Sequence, residues 1–152
     1  MQKIEILVGS MLGATEYVAD ALVEKLQEME IPNQLHLKPD LADLDNSALW
    51  LVCTSTHGAG ELPDNIKPFS KQLEEQQLPQ LTYLLVGLGD SSYDTFCEGA
   101  KQMQTLLNNA GATLLAEPIL IDVLQHPVPE DEVVAWFESD LVRDAIKSRL
   151  QR

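Results

Sequence analysis

The chain has 152 residues, 45% of them hydrophobic, enough for one domain with a sheet covered on both faces and too many for general disorder. Ten Lys and Arg stand against 24 Asp and Glu, a formal charge of −14 that argues against nucleic acid and anionic membranes as partners. Two readings of the acidity stand side by side: steering toward a basic protein partner, or solubility alone.

Ile4-Glu5-Ile6-Leu7-Val8 reads as a first strand. It is not the core of a targeting segment, because Glu5 interrupts it and no cleavage pattern follows. Gly9–Thr15 turns into a helix on which Val18, Leu22, Leu26 and Met29 recur at helical spacing, with Ala21 widening the stripe. Pro32 and Asn33 stop it, and Gln34–Leu37 forms a short second strand. Asp40–Asn46 is a polar connection with a helical turn. Leu49–Cys53, nearly all apolar, is a third strand buried on both faces.

A loop rich in Gly, Ser and Thr, Thr54–Asn65, precedes a short helix over Pro68–Gln77. Thr82–Val86 is the fourth strand. Phe96, Ala100, Met103 and Leu107 mark the next helix, which Gly111 caps. Thr113–Ile121 is a fifth strand, placed at an edge by Pro118. A last helix starts at Pro129–Asp131 and carries Val134, Phe137, Leu141 and Ala145 on one face, its basic end (Arg143, Lys147, Arg149) matching the helix dipole. No run nears the roughly 18 apolar residues of a membrane span. Cys53 and Cys97, without a signal peptide, are expected as reduced thiols in a cytoplasmic protein.

Alternation of strands and helices predicts a parallel sheet with helices on both faces, a three-layer α/β sandwich. In such a sheet the loops after strands one, three and four meet at one edge, where ligands bind. Those are the three loops richest in Gly, Ser and Thr. The first, Ser10–Thr15, can cradle a phosphate with hydroxyls and backbone N–H groups, yet it holds no Lys or Arg; Ser10 as an ordinary helix cap is an equal alternative. It is neither a Walker A loop nor a Gly-x-Gly-x-x-Gly fingerprint. The third, Gly87–Cys97, follows an apolar strand. Its two glycines suggest a sharp turn and close approach of a ligand, and Tyr93 and Phe96 suggest stacking on a flat ring.

The motif Ser55-Thr56-His57-Gly58-Ala59-Gly60 after strand three, with Gly87-Leu88-Gly89-Asp90-Ser91-Ser92-Tyr93-x-x-Phe96-Cys97 after strand four, resembles the flavodoxin-like FMN-binding modules of diflavin reductases. The opening Gly9-Ser10-x-x-Gly13-x-Thr15-Glu16 loop is similar to theirs too. The short length and the tail Pro129–Trp136 resemble the MioC-type short flavodoxins. The resemblance implies a five-stranded parallel sheet of order 2-1-3-4-5 and FMN as cofactor. Ser10, Met11, Leu12, Gly13, Ala14 and Thr15 would hold the phosphate. Ser55, Thr56, His57, Gly58, Ala59 and Gly60 would line one side of the isoalloxazine, and Leu88, Gly89, Asp90, Ser91, Ser92, Tyr93, Phe96 and Cys97 the other. Tyr93 would stack on the ring, against the alternative of a tyrosine on the core rim. His57 either stacks or faces solvent. Asp122 either contacts the flavin or is an exposed strand-end aspartate. Met11-Leu12 departs from the threonine many flavodoxins carry in this loop, so backbone N–H groups and Thr15 must do more.

No nucleophile–base pair is present, so the chemistry would be the cofactor's. The resemblance implies a one-electron carrier rather than a substrate-converting enzyme, in which the Gly58 peptide reorients toward flavin N5. Its partners would be a basic NADPH-dependent flavoprotein reductase and an acceptor enzyme, met through an acidic rim of Asp90, Asp94, Glu61, Asp64 and Glu98. A flavin-free binding module on the same fold is the alternative. A quinone reductase lacks a visible second nucleotide site. A receiver domain would need acidic residues where Gly9-Ser10 stands.

Overall fold

A computed structural model describes residues 3–10, 13–57 and 59–151. Its elements in order are β1 (Ile4–Gly9), α1 (Ala14–Glu28), β2 (Asn33–His36), a 3₁₀ turn (Leu41–Asp43), β3 (Leu49–Thr54), α2 (Lys67–Glu74), β4 (Thr82–Gly89), α3 (Glu98–Asn109), β5 (Thr113–Leu114), β6 (Ile119–Asp122), α4 (Pro129–Glu138) and α5 (Asp140–Leu150). All pairings are parallel in the order β2-β1-β3-β4-β5, with β6 also on β4. This is the α/β flavodoxin fold, five strand positions in the order 2-1-3-4-5 with helices on both faces.

Alternation along β1 decides the layers. Ile4, Ile6 and Val8 pack with Val18, Leu22 and Leu26 of α1 and with Val133, Phe137, Val142 and Ile146 of α4 and α5. Leu7, Trp50, Val52, Tyr83 and Leu85 face Phe69 and Leu73 of α2 and Ala100, Met103 and Leu107 of α3. From β1 the chain first steps to one side, then from β3 to the other, and crossovers of one hand put α1 opposite α2 and α3. The switch point lies between β1 and β3.

The fifth position is two segments rather than one strand. Thr82 pairs with Thr113 but Val86 with Ile119, so two extra residues are accommodated between β5 and β6. Pro118, without an N–H, sits where the ladder is interrupted. The Gly111 cap is a Schellman motif: φ is +92°, Gly111 N–H donates to Asn108 O (3.0 Å), and Ala112 N–H to Leu107 O (3.0 Å).

The C-terminal helix is broken, which corrects the predicted stripe. Ser139 is extended (ψ 150°) and its hydroxyl donates to Trp136 O (2.6 Å). The break moves the core face after it from Leu141 and Ala145 to Val142 and Ile146, while before it Val133 rather than Val134 is buried beside Phe137; Leu141 is 72% exposed. Arg149 also departs from a simple dipole role. It is buried, donating from Nε to Thr82 Oγ1 and from a terminal nitrogen to Ser47 O, both at 2.6 Å.

Glu5, which interrupts the first apolar run, is wholly buried beside β2. Its Oε1 meets His36 Nε2 at 3.2 Å, its Oε2 accepts from Asp45 N–H at 2.8 Å, and Lys3 lies 3.7 Å away. A strand in a sheet tolerates such a group only because its acceptors are filled.

The phase shift at Ser139 has a direct test by chemical denaturation. Ile146→Ala should cost about 2–5 kcal/mol, whereas Leu141→Ala should stay within about 0.5 kcal/mol. Equal costs would restore one continuous helical face.

Candidate functional site

The ends of β1, β3 and β4 are level, with Gly9 paired to Thr54 and Thr54 to Gly87. Their loops therefore open at one edge, and with the turn after β6 they enclose a cleft of about 400 Å³. That lies in the size range of small-molecule sites. The first loop contributes Ser10, Ala14 and Thr15, the second Ser55, Thr56 and His57, and the third Leu88, Gly89, Asp90, Tyr93 and Thr95. Val123 closes the fourth side.

At the β1 end the cleft meets the N-terminus of α1. The residue before the helix, Gly13, has φ +88°, and no side chain caps the helix. Gly13 N–H donates instead to Ser10 Oγ (3.1 Å), so the Ser10 hydroxyl closes the turn that leads into the helix. The Thr15 hydroxyl is buried without a hydrogen-bond partner among the described residues. A buried unpartnered hydroxyl costs stability. Thr15 is among the residues lining the cleft, beside a helix N-terminus, an arrangement suited to an anion.

The second loop is a tight turn hung on α3. Gly60 N–H (3.1 Å) and Glu61 N–H (2.9 Å) both donate to His57 O, and His57 N–H to Glu61 O (2.7 Å). Gly99 N–H donates to Thr56 Oγ1 (3.0 Å), and Gln102 Nε2 to Gly60 O (2.5 Å). His57 is among the residues lining the cleft and is itself exposed.

The third loop corrects the role of its glycines. Gly87 and Gly89 lie within β4 and make no turn. A Cβ on Gly87 would stand 2.6 Å from Ala100 Cβ, and one on Gly89 2.7 Å from Cys97 N. They admit α3 and its leading residues against the strand. Asp90 Oδ1 accepts from Ser92 N–H (2.8 Å) and Ser92 Oγ (2.5 Å), closing a turn that leaves Tyr93 62% exposed. A tyrosine this exposed beside a cleft is not a core-rim residue.

Of the other predicted residues, Gly13, Ala59, Gly60, Ser91, Ser92, Phe96, Cys97 and Asp122 do not line the cleft, and Met11, Leu12 and Gly58 lie outside the described residues. Cys97 is buried behind the wall, and burial pushes its thiol up to about 11. Cys53, inside β3, is pushed up to about 12 for the same reason, so both thiols are protonated at neutral pH. Asp122 is neither an exposed strand end nor a lining residue. Its Oδ1 accepts from Ser91 N–H (3.2 Å) and Leu124 N–H (3.0 Å), fastening the third loop to β6. The Ser91 hydroxyl, with these N–H groups, holds its carboxyl below the ordinary carboxylate value.

Sequence reasoning missed Thr95 and Val123. Thr95 lay unassigned inside a loop already singled out. Val123 is one residue past the end of the fifth strand, where ligand contacts are expected in such a sheet.

The acidic rim is partly neutralised within itself. Lys67 pairs with Glu61 (3.1 Å) and Asp64 (3.0 Å), and Lys101 lies 3.7 Å from Glu98. Asp90 and Asp94 carry the remaining charge nearest Tyr93.

Comparison with known proteins gives the same picture over nearly the full length. The chain is 41% identical over 141 residues to protein MioC of Escherichia coli, covering 91% of this chain and 96% of that one. It is 37% identical over 126 residues to the flavoprotein alpha-component of an NADPH sulfite reductase from Vibrio cholerae, covering 80% of this chain and 20% of that one. A flavodoxin from Pseudomonas aeruginosa, solved as a point mutant, superposes with a TM-score of 0.84 at 31% identity, covering 99% of this chain and all of that one. Residues 6–136 match the family profile described as Flavodoxin. The chain belongs to the flavodoxin family.

Proposed function

We propose that this protein binds FMN and carries electrons one at a time from an NADPH-dependent flavoprotein reductase with a basic docking face to an acceptor enzyme. The observation that carries the reading is the buried, unpartnered Thr15 hydroxyl in the same cleft as the exposed Tyr93. One end of the cleft suits a phosphate and the other a flat ring, and only a ligand with both satisfies both. The flavodoxin family implies a flavin-bound electron carrier; FMN is the flavin that offers a single phosphate.

The bound flavin supplies the redox chemistry. Thr15 Oγ1 and the free N–H groups at the start of α1 hold the phosphate without a cation, by directed hydrogen bonds. Tyr93 and His57 would contact the ring, and Leu88 and Val123 would shield it from water. The turn over residues 57–60 has Gly58 at its second position. A glycine admits both signs of φ, so the peptide there can invert at little cost. Inversion turns the carbonyl and N–H of that peptide to opposite sides, giving the protein a response to a proton gained or lost at the ring.

Three outcomes test this reading. Titrating apoprotein with FMN should quench flavin fluorescence at a stoichiometry of one, and Tyr93→Ala should retain binding with weaker quenching; no binding at high micromolar FMN rejects the cofactor. Reduction by a basic reductase should slow by about tenfold or more between roughly 0.05 and 0.5 M ionic strength, as screening removes steering; a rate indifferent to salt rejects the docking face. Asp122, whose folded pKa is lowered below its ordinary 3.8, stabilises the third loop fully above that value and loses this as pH falls through the lowered one. Bound FMN should therefore begin to loosen only below about pH 4, followed by flavin fluorescence, and Asp122→Asn should bind more weakly at pH 7 and lose this acid component.

A further inference from the structure

Asn65, the last residue of the second loop, lies outside the cleft lining, yet its carboxamide joins three separate segments. Its Oδ1 accepts from Ser10 N–H (2.9 Å). Its Nδ2 donates to Val8 O (2.6 Å) at the end of β1 and to Leu37 O (2.8 Å) just past β2. Both donors of the amide are used, and an amide is the side chain that combines two donors with an acceptor in this geometry. Asn65 does not itself line the cleft; its influence passes through Ser10, which does.

That influence falls on the anion end of the site. Ser10 N–H is committed to Asn65, and Gly13 N–H to Ser10 Oγ (3.1 Å). Among the described residues the donors left for a phosphate are the first N–H groups of α1 and the Thr15 hydroxyl, whose aim depends on how Ser10 holds Gly13. No Lys or Arg stands between Gly9 and Tyr17, and the chain carries −14, so no long-range attraction compensates for misaimed donors. We propose that Asn65 is a positioning residue that sets the phosphate turn through Ser10 and thereby makes the site select a phosphorylated flavin over its dephosphorylated form. The inference rests on the FMN reading and goes beyond it by assigning the selectivity to a residue that contacts no ligand.

The test is a pair of fluorescence titrations of each apoprotein, with FMN and with riboflavin. Thermal unfolding of the ligand-free protein checks that each variant folds. Asn65→Ala should weaken FMN by about tenfold or more, one directed charge-assisted contact, while the riboflavin Kd stays within about twofold. Asn65→Asp is the second variant. It keeps the acceptor for Ser10 N–H but replaces the donor by a carboxylate oxygen facing two carbonyls, so it should lose FMN affinity at least as much, again sparing riboflavin. Parallel weakening of both flavins, or no change in either, overturns the inference while the FMN reading stands. Wild-type apoprotein that binds neither flavin overturns the FMN reading itself.

Discussion

The seating of α3 directly on the backbone of β3 and β4 decides where the rest of the cleft stands. Three glycines permit it. Cβ atoms at Gly87, Gly89 and Gly99 would approach Ala100 Cβ, Cys97 N and Ser55 O to 2.6, 2.7 and 2.6 Å, contacts that any side chain would have to break. Once the helix start is this close, both flanking loops follow. Gly99 N–H and Gln102 hold the turn around His57, and the chain entering the helix must pass over β4, presenting Tyr93 outward. Cys97 adopts φ +54° to make that entry, a conformation uncommon outside glycine and tolerated here because its thiol fills the space beside Gly89. The cleft is therefore built from inside the fold rather than by loops that happen to meet.

The second constraint is electrostatic. In the proposed function a strongly acidic chain holds an anionic group at one end of the cleft and presents acidic residues to a partner around the other. A helix N-terminus contributes about 0.3–1 kcal/mol to an anion in exposed geometry and up to ~2 when partly buried. Hydrogen bonds to charged groups add about 1.5–3 kcal/mol each. Directed short-range bonds thus outweigh the diffuse repulsion of distant carboxylates, which salt screens beyond roughly 10 Å. At the rim, Lys67 and Lys101 bind neighbouring acids and reduce the charge close to the site, leaving Asp90 and Asp94 beside the tyrosine.

Much of this architecture was legible because spacing reveals which face of an element is apolar. The stripe on α1, the doubly buried third strand and the Gly111 cap all follow from local pattern. What local pattern cannot carry is the identity of the group across the interface. Gly87 and Gly89 were expected to admit a ligand, and they admit a helix. Arg149 satisfied a dipole argument while its actual partners, Thr82 and Ser47, lie far away in the chain. The break at Ser139 escaped for a related reason. One extended residue in an otherwise helical run leaves composition unchanged while rotating every later side chain by about 100°. Asn65 and Val123 were invisible because neither residue type is unusual where it stands; only the neighbours that the fold brings to them give them meaning.

Among the described residues the two ends of the sheet treat buried polar groups differently, and that contrast supports the proposed site without reference to any relative. At the amino-terminal edge each such group is matched. Glu5 uses both oxygens, Trp50 Nε1 donates to Asp45 O (3.0 Å), and Arg149 reaches two acceptors. At the carboxyl edge, among the described residues, the Thr15 hydroxyl is buried with nothing to bond. A chain able to satisfy a carboxylate inside its core would not leave a hydroxyl orphaned for want of packing solutions. Thr15 lines the cleft at the start of α1, which no side chain among the described residues caps, and Ser10 before it is fastened from behind by Asn65. Unsatisfied polarity at one supported point is the mark of a site completed by a ligand, and it supports an anion end for the cleft in the part of the chain with the least distinctive sequence.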